Sequence, residues 1–487
     1  MIPEHIATLC LNSGVDFEES SLILKRINEG ECVQVFQTIK ETPAIDGTSI
    51  VDLRPEKNVF DASERQRLIT LGESVLNKTA VGVLNGGLAT SFVDRKKNEV
   101  FNSQLFEFYK DDFEKLSVLF EGKPKGVSPA FIQPNLEPGP SFMELKLRAF
   151  LIHTLKNIHN KIPQNKRIPF FQMSSTGTHK DLEQAYFLYQ KSPLISPLLE
   201  VVGWDLSQIR TGVQGLVTAF THSSLGNPRE FYVRKSSEGD SVLPLPGGHG
   251  QNFKVLAQVY QDLLNDGFKY AYLGNVDNLG YLPDSLALGM MEDSGANAGF
   301  DFSFKTALDT KGGVLYRTQE GKLQCGDIGV TIDPREITQA EALGGQILFN
   351  CATGVFRLEY LVENLERIQQ KLPIRLSDQD KDAGRYSQAE QVTWEVLGLL
   401  EKPLIFAVEK KSRFLATKLL IDCFLTSGLH FDKLSQRKDL SSVFKLGENL
   451  HEGLRSLLTN QYGMKYNSIS KQWMPLPLEK IAPNLFK

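Results

Sequence analysis

The stretch TAVGVLNGGLATSFVDRK (79–96) decides how the fold is interpreted. It begins with an apolar run rich in β-forming residues, which is typical of a buried strand. The run breaks at Asn85-Gly86-Gly87 and then continues toward Arg95, Lys96 and Lys97. Two glycines after a buried strand indicate either a tight turn or a backbone that a ligand approaches closely. From these residues alone, both interpretations stand.

Around this stretch, short apolar strands alternate with helical patterns. VGVL, PFFQM and YAYLGNV have the character of strands, whereas FMELKLRAFLIHTLKNI and VLAQVYQDLL have helical spacing. Ser141 and Glu144 form a capping box at the start of the first of these helices. The alternation predicts an α/β fold with a doubly wound sheet.

Composition narrows the class of protein. The chain has 487 residues, enough for a large core, and a formal net charge of −4, so it has no basic field that would favour nucleic acid or an acidic membrane. Its five cysteines are scattered and form no CxxC pair, which suits a reducing cytoplasm. The N-terminal segment MIPEHIATLC lacks a signal-peptide layout, and the apolar run 419–429 is too short to cross a bilayer. We therefore expect a cytoplasmic protein.

The patterning suggests three regions. We expect an N-terminal helical region at 1–75, a main α/β domain at 76–425 and a small C-terminal domain at 426–487. Within the main domain, residues 92–121 read as an insertion, a largely exposed charged helix laid over the fold. Its apolar positions lie roughly on one face: Phe101, Leu105, Phe108, Leu116 and Leu119.

Two loops could bind anions. Lys125 lies between Pro124, which fixes its own φ, and the permissive Gly126, a frame that suits an ammonium held over phosphate oxygens. A solvated loop is the plainer alternative. The segment PLPGGHGQNF (244–253) places glycines just ahead of a helix, where backbone N–H groups can bind an anion, although a simple turn has the same composition.

A further candidate follows the predicted strand YAYLGNV. Asp277 stands between amides in Asn275-Val276-Asp277-Asn278, at the carboxyl edge of that strand. A carboxylate there is a plausible Mg²⁺ ligand, with substrate phosphates and water at the other positions. An Asx-turn formed by Asp277 and Asn278 explains the pattern equally well. Further along, KTALDTKGGVLYRTQEGKLQ predicts a hairpin, and Asn350 and Lys418 are weaker candidates.

The order of these segments resembles a known family. LNGGLATS, KPKGV, SFMELK, PGGHG, NVDNLG, KGG, FN and RFLATK occur in the order found in the UDP-glucose pyrophosphorylase family, whose members are UTP–glucose-1-phosphate uridylyltransferases. The resemblance covers roughly residues 70 to 425. It implies a Rossmann-like nucleotidyltransferase fold with a central mixed, mostly parallel sheet. It also implies a nucleotidyltransferase that makes UDP-glucose and pyrophosphate from the small molecules UTP and glucose 1-phosphate.

The resemblance also implies roles for individual residues. Lys125 and Lys418 would neutralise phosphate charge as catalytic residues, and Asp277 would hold Mg²⁺. Gln214 would read uracil. The substrate-binding positions would be Leu84, Asn85, Gly86, Gly87, Gln214, Gly248, His249, Asn275, Gly313 and Asn350.

Three departures leave alternatives open. About 30 residues separate the glycine loop from Lys125, a long connection, so the charges at 95–97 are rival phosphate contacts. The family often has Gly where this chain has Ala89, and a second asparagine where it has Cys351-Ala352. The sugar is therefore open: another hexose 1-phosphate such as N-acetylglucosamine 1-phosphate is an alternative, as is a weakly active UDP-sugar-binding homologue. No oligomeric state follows.

Overall fold

A computed structural model of the chain describes residues 4–33, 41–57, 59–90, 92–158, 169–237, 239–306, 309, 311–381 and 383–483. Its α-helices are α1 (Glu4–Asn12), α2 (Phe17–Asn28), α3 (Ala62–Leu76), α4 (Arg95–Phe101), α5 (Ser103–Phe108), α6 (Lys110–Leu116), α7 (Phe142–Ile158), α8 (His179–Tyr189), α9 (Ser196–Val202), α10 (Asn252–Val255), α11 (Ala257–Asn265), α12 (Ser285–Ser294), α13 (Pro334–Ala342), α14 (Leu358–Glu363), α15 (Leu365–Lys371), α16 (Lys410–Arg413), α17 (Leu420–Ser427), α18 (Phe431–Leu434), α19 (Ser441–Asn460) and α20 (Leu478–Ile481).

The strands are β1 (Cys32–Val33), β2 (Ile50–Asp52), β3 (Thr79–Leu84), β4 (Phe170–Ser175), β5 (Arg210–Gln214), β6 (Leu216–Thr218), β7 (Phe220–Thr221), β8 (Val233–Ser236), β9 (Gly239–Val242), β10 (Pro244–Pro246), β11 (Tyr270–Asn275), β12 (Ala298–Phe304), β13 (Gly313–Arg317), β14 (Leu323–Asp327), β15 (Leu348–Arg357), β16 (Ile374–Lys381), β17 (Gly384–Glu390), β18 (Pro403–Val408), β19 (Met464–Asn467) and β20 (Gln472–Pro475). Short 3₁₀ helices cover Pro55–Lys57, Ser117–Leu119, Lys125–Val127, Leu206–Gln208, Ser223–Leu225, His249–Gln251, Thr393–Leu399 and Lys438–Leu440.

The main sheet is mixed and mostly parallel. Its path runs β2-β18-β12-β15-β11-β3-β4-β5, with β13 and β14 joined at β15. On that path β15 is antiparallel to both of its neighbours, β11 and β12, whereas the other pairs are parallel. The carboxyl ends of β3, β4, β5, β11, β12 and β18 therefore meet at one edge. The predicted α/β fold is confirmed.

Both faces of this sheet are covered by helices, as a doubly wound fold requires. One core cluster joins the sheet to α3, α7, α8, α9 and α12, and a second joins it to α10, α11, α14 and α15. All six residues of β3 are buried, in keeping with a central parallel strand. The predicted hairpin is also present, because β13 and β14 pair antiparallel from Gly313 opposite Asp327 to Arg317 opposite Leu323.

The capping box ahead of α7 is half formed. The Ser141 hydroxyl accepts the backbone N–H of Glu144 at 3.1 Å, which caps the helix as predicted. The Glu144 carboxylate, however, accepts a hydrogen bond from the Ser192 hydroxyl. That carboxylate therefore ties α7 to the segment that precedes α9.

The insertion at 92–121 is helical and its charged face is exposed, but it forms three short helices instead of one, and its apolar stripe is packed in a core cluster. Leu105, Tyr109 and Phe120 are fully buried, in a cluster shared with the apolar residues of α17. The Tyr109 hydroxyl donates to the carbonyl of Leu429 at 2.8 Å. The apolar stripe of the insertion thus has a partner more than three hundred residues away in sequence, which the local pattern could not reveal.

The two terminal regions contact the main domain through specific elements. β2 extends the main sheet by pairing with β18, and α1 and α2 pack against the small strands β6 and β9. Near the C-terminus, the buried Arg148 guanidinium of α7 donates to the carbonyls of Tyr462 and Gly463.

The domain limits at 1–75, 76–425 and 426–487 stay a prediction, and residues 1–3, 34–40, 58 and 484–487 lie outside the described part. Within that part, no helix is long and apolar enough to cross a membrane.

Candidate functional site

The glycine loop follows the central strand β3 and is held from beneath. Asn85 is fully buried and donates through Nδ2 to Oε1 of Gln172 at 3.1 Å. The carbonyl of Gly86 accepts the Ser175 hydroxyl at 2.8 Å. An added Cβ on Gly87 would meet nothing within 4 Å. The loop is therefore fixed on its protein side and open at Gly87.

Lys125 returns to this same loop. Its backbone N–H donates to the carbonyl of Gly87 at 3.0 Å, and Leu88 pairs with Pro124. Gly126 is packed so closely that a Cβ there would lie 2.2 Å from Oδ1 of Asn85. The long insertion thus leaves the loop and comes back to it. Two of the three rival charges form ion pairs within the insertion, Arg95 with Glu114 and Lys97 with Asp94.

The side chain of Lys125 meets the predicted metal ligand. Its Nζ lies 2.7 Å from Oδ2 of Asp277, and the two side chains are 23% and 8% exposed. Burial raises the pKa of the Asp277 carboxyl, but the nearby charges of Lys125 and Lys418 outweigh it and leave that pKa below its ordinary value. Asp277 is therefore held ionised in a largely buried position.

The Asx-turn interpretation applies to the next residue. Oδ1 of Asn278 accepts the N–H of Gly280 at 2.9 Å and the N–H of Leu415 at 3.1 Å. Its Nδ2 donates to the carbonyls of Cys351 and Arg413, both at 3.0 Å. Asn278 thus forms the turn and joins it to the chain ahead of Lys418, while the Asp277 carboxylate stays directed at Lys125.

Two further residues support this corner of the site. Lys146 of α7 is fully buried and donates to the carbonyls of Asn278 and Tyr281. Asp422 accepts the backbone N–H of Lys418 at 3.1 Å, and burial raises the pKa of Asp422 to about 6. The sequence analysis assigned neither residue a role. The lysine in SFMELK was the available signal, since a charge among core positions of a helix needs a partner.

The segment PGGHG lies against the end of β5. Gly248 has φ +83°, and a Cβ there would come within 2.4 Å of the Gln391 carbonyl oxygen, so only glycine fits. Nε2 of Gln214 donates to the Gly248 carbonyl and to Oε1 of Gln251, both at 2.8 Å. The amide of Gln214 is therefore fixed in orientation. Its Oε1 would lie 3.5 Å from a Cβ on Gly86, beside the glycine loop.

The imidazole of His249 is neutral and has a defined tautomer. Its Nδ1 accepts the backbone N–H of Thr393 at 3.1 Å, and the Thr393 hydroxyl donates to the His249 carbonyl at 2.9 Å. The ring proton consequently lies on Nε2, which is left as a donor. Burial lowers the pKa of His249 to about 4.

On the other side of β11, polar atoms are left unmatched. Asn350 accepts the N–H of Ala352 through Oδ1 at 2.8 Å, whereas its Nδ2 is buried without a partner in the described structure. Oδ1 of Asn275 is also buried without a hydrogen-bond partner in the described structure. An unpaired buried donor or acceptor costs about 1–3 kcal/mol, so a polar ligand that paired these atoms would recover that energy.

Gly313 lies beside Asp327, a residue to which the sequence analysis assigned no role. A Cβ on Gly313 would lie 3.4 Å from Cβ of Asn350 and 3.3 Å from Oδ1 of Asp327. Arg375 contacts the Asp327 carboxylate at 2.9 Å and also pairs with the buried Glu395. Asp327 ends strand β14, and only its pairing in the hairpin places it beside Asn350.

The predicted positions thus fall along one edge of the main sheet. Leu84 ends β3 opposite Asn275 of β11, Gln214 ends β5, and Asn350 pairs with Phe302 near the end of β12. Among the residues that the structure describes, no group of three or more His, Cys, Asp or Glu could hold a metal ion. Asp277 as a single carboxylate fits Mg²⁺, which commonly binds one or two carboxylates together with substrate phosphates.

Comparison with known proteins identifies the same family as the order of the sequence motifs. A family model described as UTP--glucose-1-phosphate uridylyltransferase matches residues 222–443. The resemblance to the UDP-glucose pyrophosphorylase family is confirmed. A UTP--glucose-1-phosphate uridylyltransferase of Astragalus penduliflorus is 24% identical over 296 residues, covering 60% of this chain and 57% of that protein. The chain thus spans little more than half the length of this relative.

Solved structures show the same fold. The UDP-glucose pyrophosphorylase of Leishmania major aligns with a TM-score of 0.56 at 18% identity, covering 87% of this chain and 79% of that one. A UDP-N-acetylglucosamine pyrophosphorylase candidate from Entamoeba histolytica aligns with a TM-score of 0.54 at 18% identity, covering 77% of this chain and 82% of that one. At this identity the likeness establishes the fold alone.

Proposed function

We propose that this chain is a uridylyltransferase that makes UDP-glucose and pyrophosphate from UTP and glucose 1-phosphate. The observation that carries the proposal is the return of Lys125 to the glycine loop, where its ammonium meets Asp277. The family match supports the reaction class. Two lysines and one carboxylate at the edge of an α/β sheet provide the charges that a reaction between two polyanions needs.

In the proposed reaction, a phosphate oxygen of the sugar phosphate attacks the α-phosphorus of UTP in line. The bond from that phosphorus to the bridging oxygen breaks, and pyrophosphate leaves with the electron pair. Lys125 and Lys418 place positive charge against the phosphates, and the loop at Gly87 lets the backbone approach them. Mg²⁺ held by Asp277 would neutralise phosphate charge and align the leaving group. No protein nucleophile is required.

Selection of uracil would depend on Gln214. Because its Nε2 is fixed by the Gly248 carbonyl and Gln251, its Oε1 remains available as an acceptor. That oxygen can accept the N3–H of uracil, whereas cytosine offers a ring acceptor at the same place. Another base would leave buried polar groups of the site unpaired, so the site would discriminate strongly between uracil and the other bases.

The sugar side favours a hexose with free hydroxyl groups. The unpaired Nδ2 of Asn350, the Nε2–H of His249 and the Asp327 carboxylate together offer donors and an acceptor. The fold shared with the Entamoeba histolytica protein supports a second candidate, N-acetylglucosamine 1-phosphate. Ala352 leaves less side-chain bulk there than the asparagine frequent in the family. A weakly active UDP-sugar-binding homologue is the third possibility.

A pyrophosphate-release assay with UTP and a panel of sugar 1-phosphates tests the proposal. We expect glucose 1-phosphate to give the highest kcat/KM, with Mg²⁺ required and ATP, CTP and GTP poor replacements for UTP. Higher kcat/KM with N-acetylglucosamine 1-phosphate would favour the second candidate. UDP-glucose binding without pyrophosphate release from any sugar phosphate would favour the weakly active homologue.

We also propose a cytoplasmic location. All five cysteines are unpaired, four of them buried, in keeping with a protein kept in a reducing compartment. Fractionation of cells that produce the chain, with a cytoplasmic marker as control, checks this.

A further inference from the structure

The Lys125–Asp277 contact occupies one of the two carboxylate oxygens that could bind a metal ion. Nζ of Lys125 lies 2.7 Å from Oδ2 of Asp277, a charge-assisted hydrogen bond at the short end of the normal range. The Asp277 side chain is only 8% exposed, so it has little room for a second cation while the ammonium is in place. A bare cation would have to bind the other oxygen beside the ammonium charge, or displace Lys125.

Displacing Lys125 with a bare cation is unfavourable. The ammonium would lose its carboxylate partner while its backbone N–H stays bonded to the Gly87 carbonyl. The cation would gain few protein ligands, because no group of three or more His, Cys, Asp or Glu able to hold a metal exists among the described residues. Mg²⁺ gives up its water reluctantly, and so few protein ligands are a poor exchange for that loss.

A triphosphate removes both difficulties. Its oxygens can accept hydrogen bonds from Lys125, whose side chain is 23% exposed and long enough to turn away from Asp277. The same triphosphate supplies further oxygen ligands to the metal. Lys418 remains close enough to act on the Asp277 charge, so the carboxylate does not lose every cation when Lys125 moves.

We propose that Lys125 is an exchangeable counter-ion of Asp277: it blocks this carboxylate against free divalent cations and moves to the phosphates when a metal–nucleoside triphosphate complex binds. The inference rests on the proposed function, because it takes Asp277 as the metal ligand. It predicts that metal and nucleotide enter together. Lys125 is then both a phosphate contact and the residue that sets this order.

Titration of Mn²⁺, followed by electron paramagnetic resonance without nucleotide, tests the exchange. The variants are Lys125→Met, Lys418→Met and Lys125→Met combined with Asp277→Asn, each checked for an unchanged thermal unfolding transition. We expect Lys125→Met to bind Mn²⁺ at least tenfold more tightly than the wild type. Lys418→Met removes a charge that acts on the carboxylate without contacting it, so we expect a smaller gain in Mn²⁺ affinity than in Lys125→Met. The double variant should lose the added binding.

Equal Mn²⁺ affinity in the wild type and Lys125→Met, including no binding by either, would overturn the exchange. So would an equal gain in Lys418→Met, which would indicate general electrostatics, or binding retained by the double variant. If Lys125→Met also fails to fold, Lys125→Gln serves as the second variant under the same criteria. Loss of the proposed function is recognised separately, by absence of UDP-sugar synthesis while the Mn²⁺ exchange is still observed.

Discussion

Gly248 offers a quantitative test of the loop that fixes Gln214. In Gly248→Ala the new Cβ would lie 2.4 Å from the Gln391 carbonyl oxygen and 2.8 Å from its nitrogen, both backbone atoms that cannot rotate away. The φ of +83° adds about 1–2 kcal/mol for a non-glycine residue in the left-handed region. Overpacking adds about 1–3 kcal/mol. We therefore expect a loss of about 2–5 kcal/mol in the free energy of unfolding.

Gly87→Ala is the matched control. Its Cβ would meet nothing within 4 Å, and its φ lies outside the left-handed range, so we expect a stability change within about 0.5 kcal/mol. Urea unfolding measures both variants, and calorimetric titration with UTP measures the site. Gly87→Ala should weaken UTP binding although it leaves stability intact, because its methyl group faces the proposed phosphates. Equal stability of the two variants would refute the account of the Gly248 loop.

Three further outcomes are expected. Asp277→Ala should abolish Mg²⁺-dependent turnover while the melting temperature changes little, because Asn278 forms the turn. Unchanged activity and Mg²⁺ dependence would dismiss the metal role of Asp277. An unfolded variant would instead restore the Asx-turn interpretation. Lys125→Ala should lower kcat by about 10²–10³-fold, whereas alanine at 95–97 should mainly weaken UTP binding; the reverse pattern in steady-state kinetics would show that the phosphate lysine is misassigned. Burial lowers the pKa of His249 to about 4 in the folded protein, so the unfolded chain takes up a proton on this residue first and the free energy of unfolding falls as the pH drops from about 6.5 to 4. His249→Gln should remove about 3 kcal/mol of this fall, measured by urea unfolding at pH 4 and at pH 7.5. An identical pH dependence in both proteins would contradict this expectation.

The sequence predicted the α/β class because strands and helices differ in their hydrophobic period, and this difference is local. It also placed Asp277 at the carboxyl edge of its strand, and the parallel pairing of β3 with β11 brings the loops after both strands to the same edge. The burial of the apolar stripe of the insertion at 92–121 was not predictable. It depends on α17, which joins it only in the folded chain.

The site shows the same division. Asp277 and Lys125 could be selected as candidates because each lies in a short motif whose backbone constrains it, and the structure brings them into contact. Which of Asp277 and Asn278 forms the turn and which is free to bind a ligand was left open, since both roles need the same residue types. Asp327 was missed because the pairing of β13 with β14 and β15, and not any local pattern, places it near Asn350.

The most direct test of the central claim is the rate of UDP-glucose formation from UTP and glucose 1-phosphate, followed by anion-exchange chromatography in wild type and Asp277→Asn. Asn keeps the size of the side chain and removes the charge that pairs with Lys125. We predict Mg²⁺-dependent synthesis by the wild type and a loss of at least 10²-fold in the variant. No UDP-glucose from the folded wild type, or equal rates in both proteins, would contradict the claim that Lys125 and Asp277 form the catalytic centre of a uridylyltransferase.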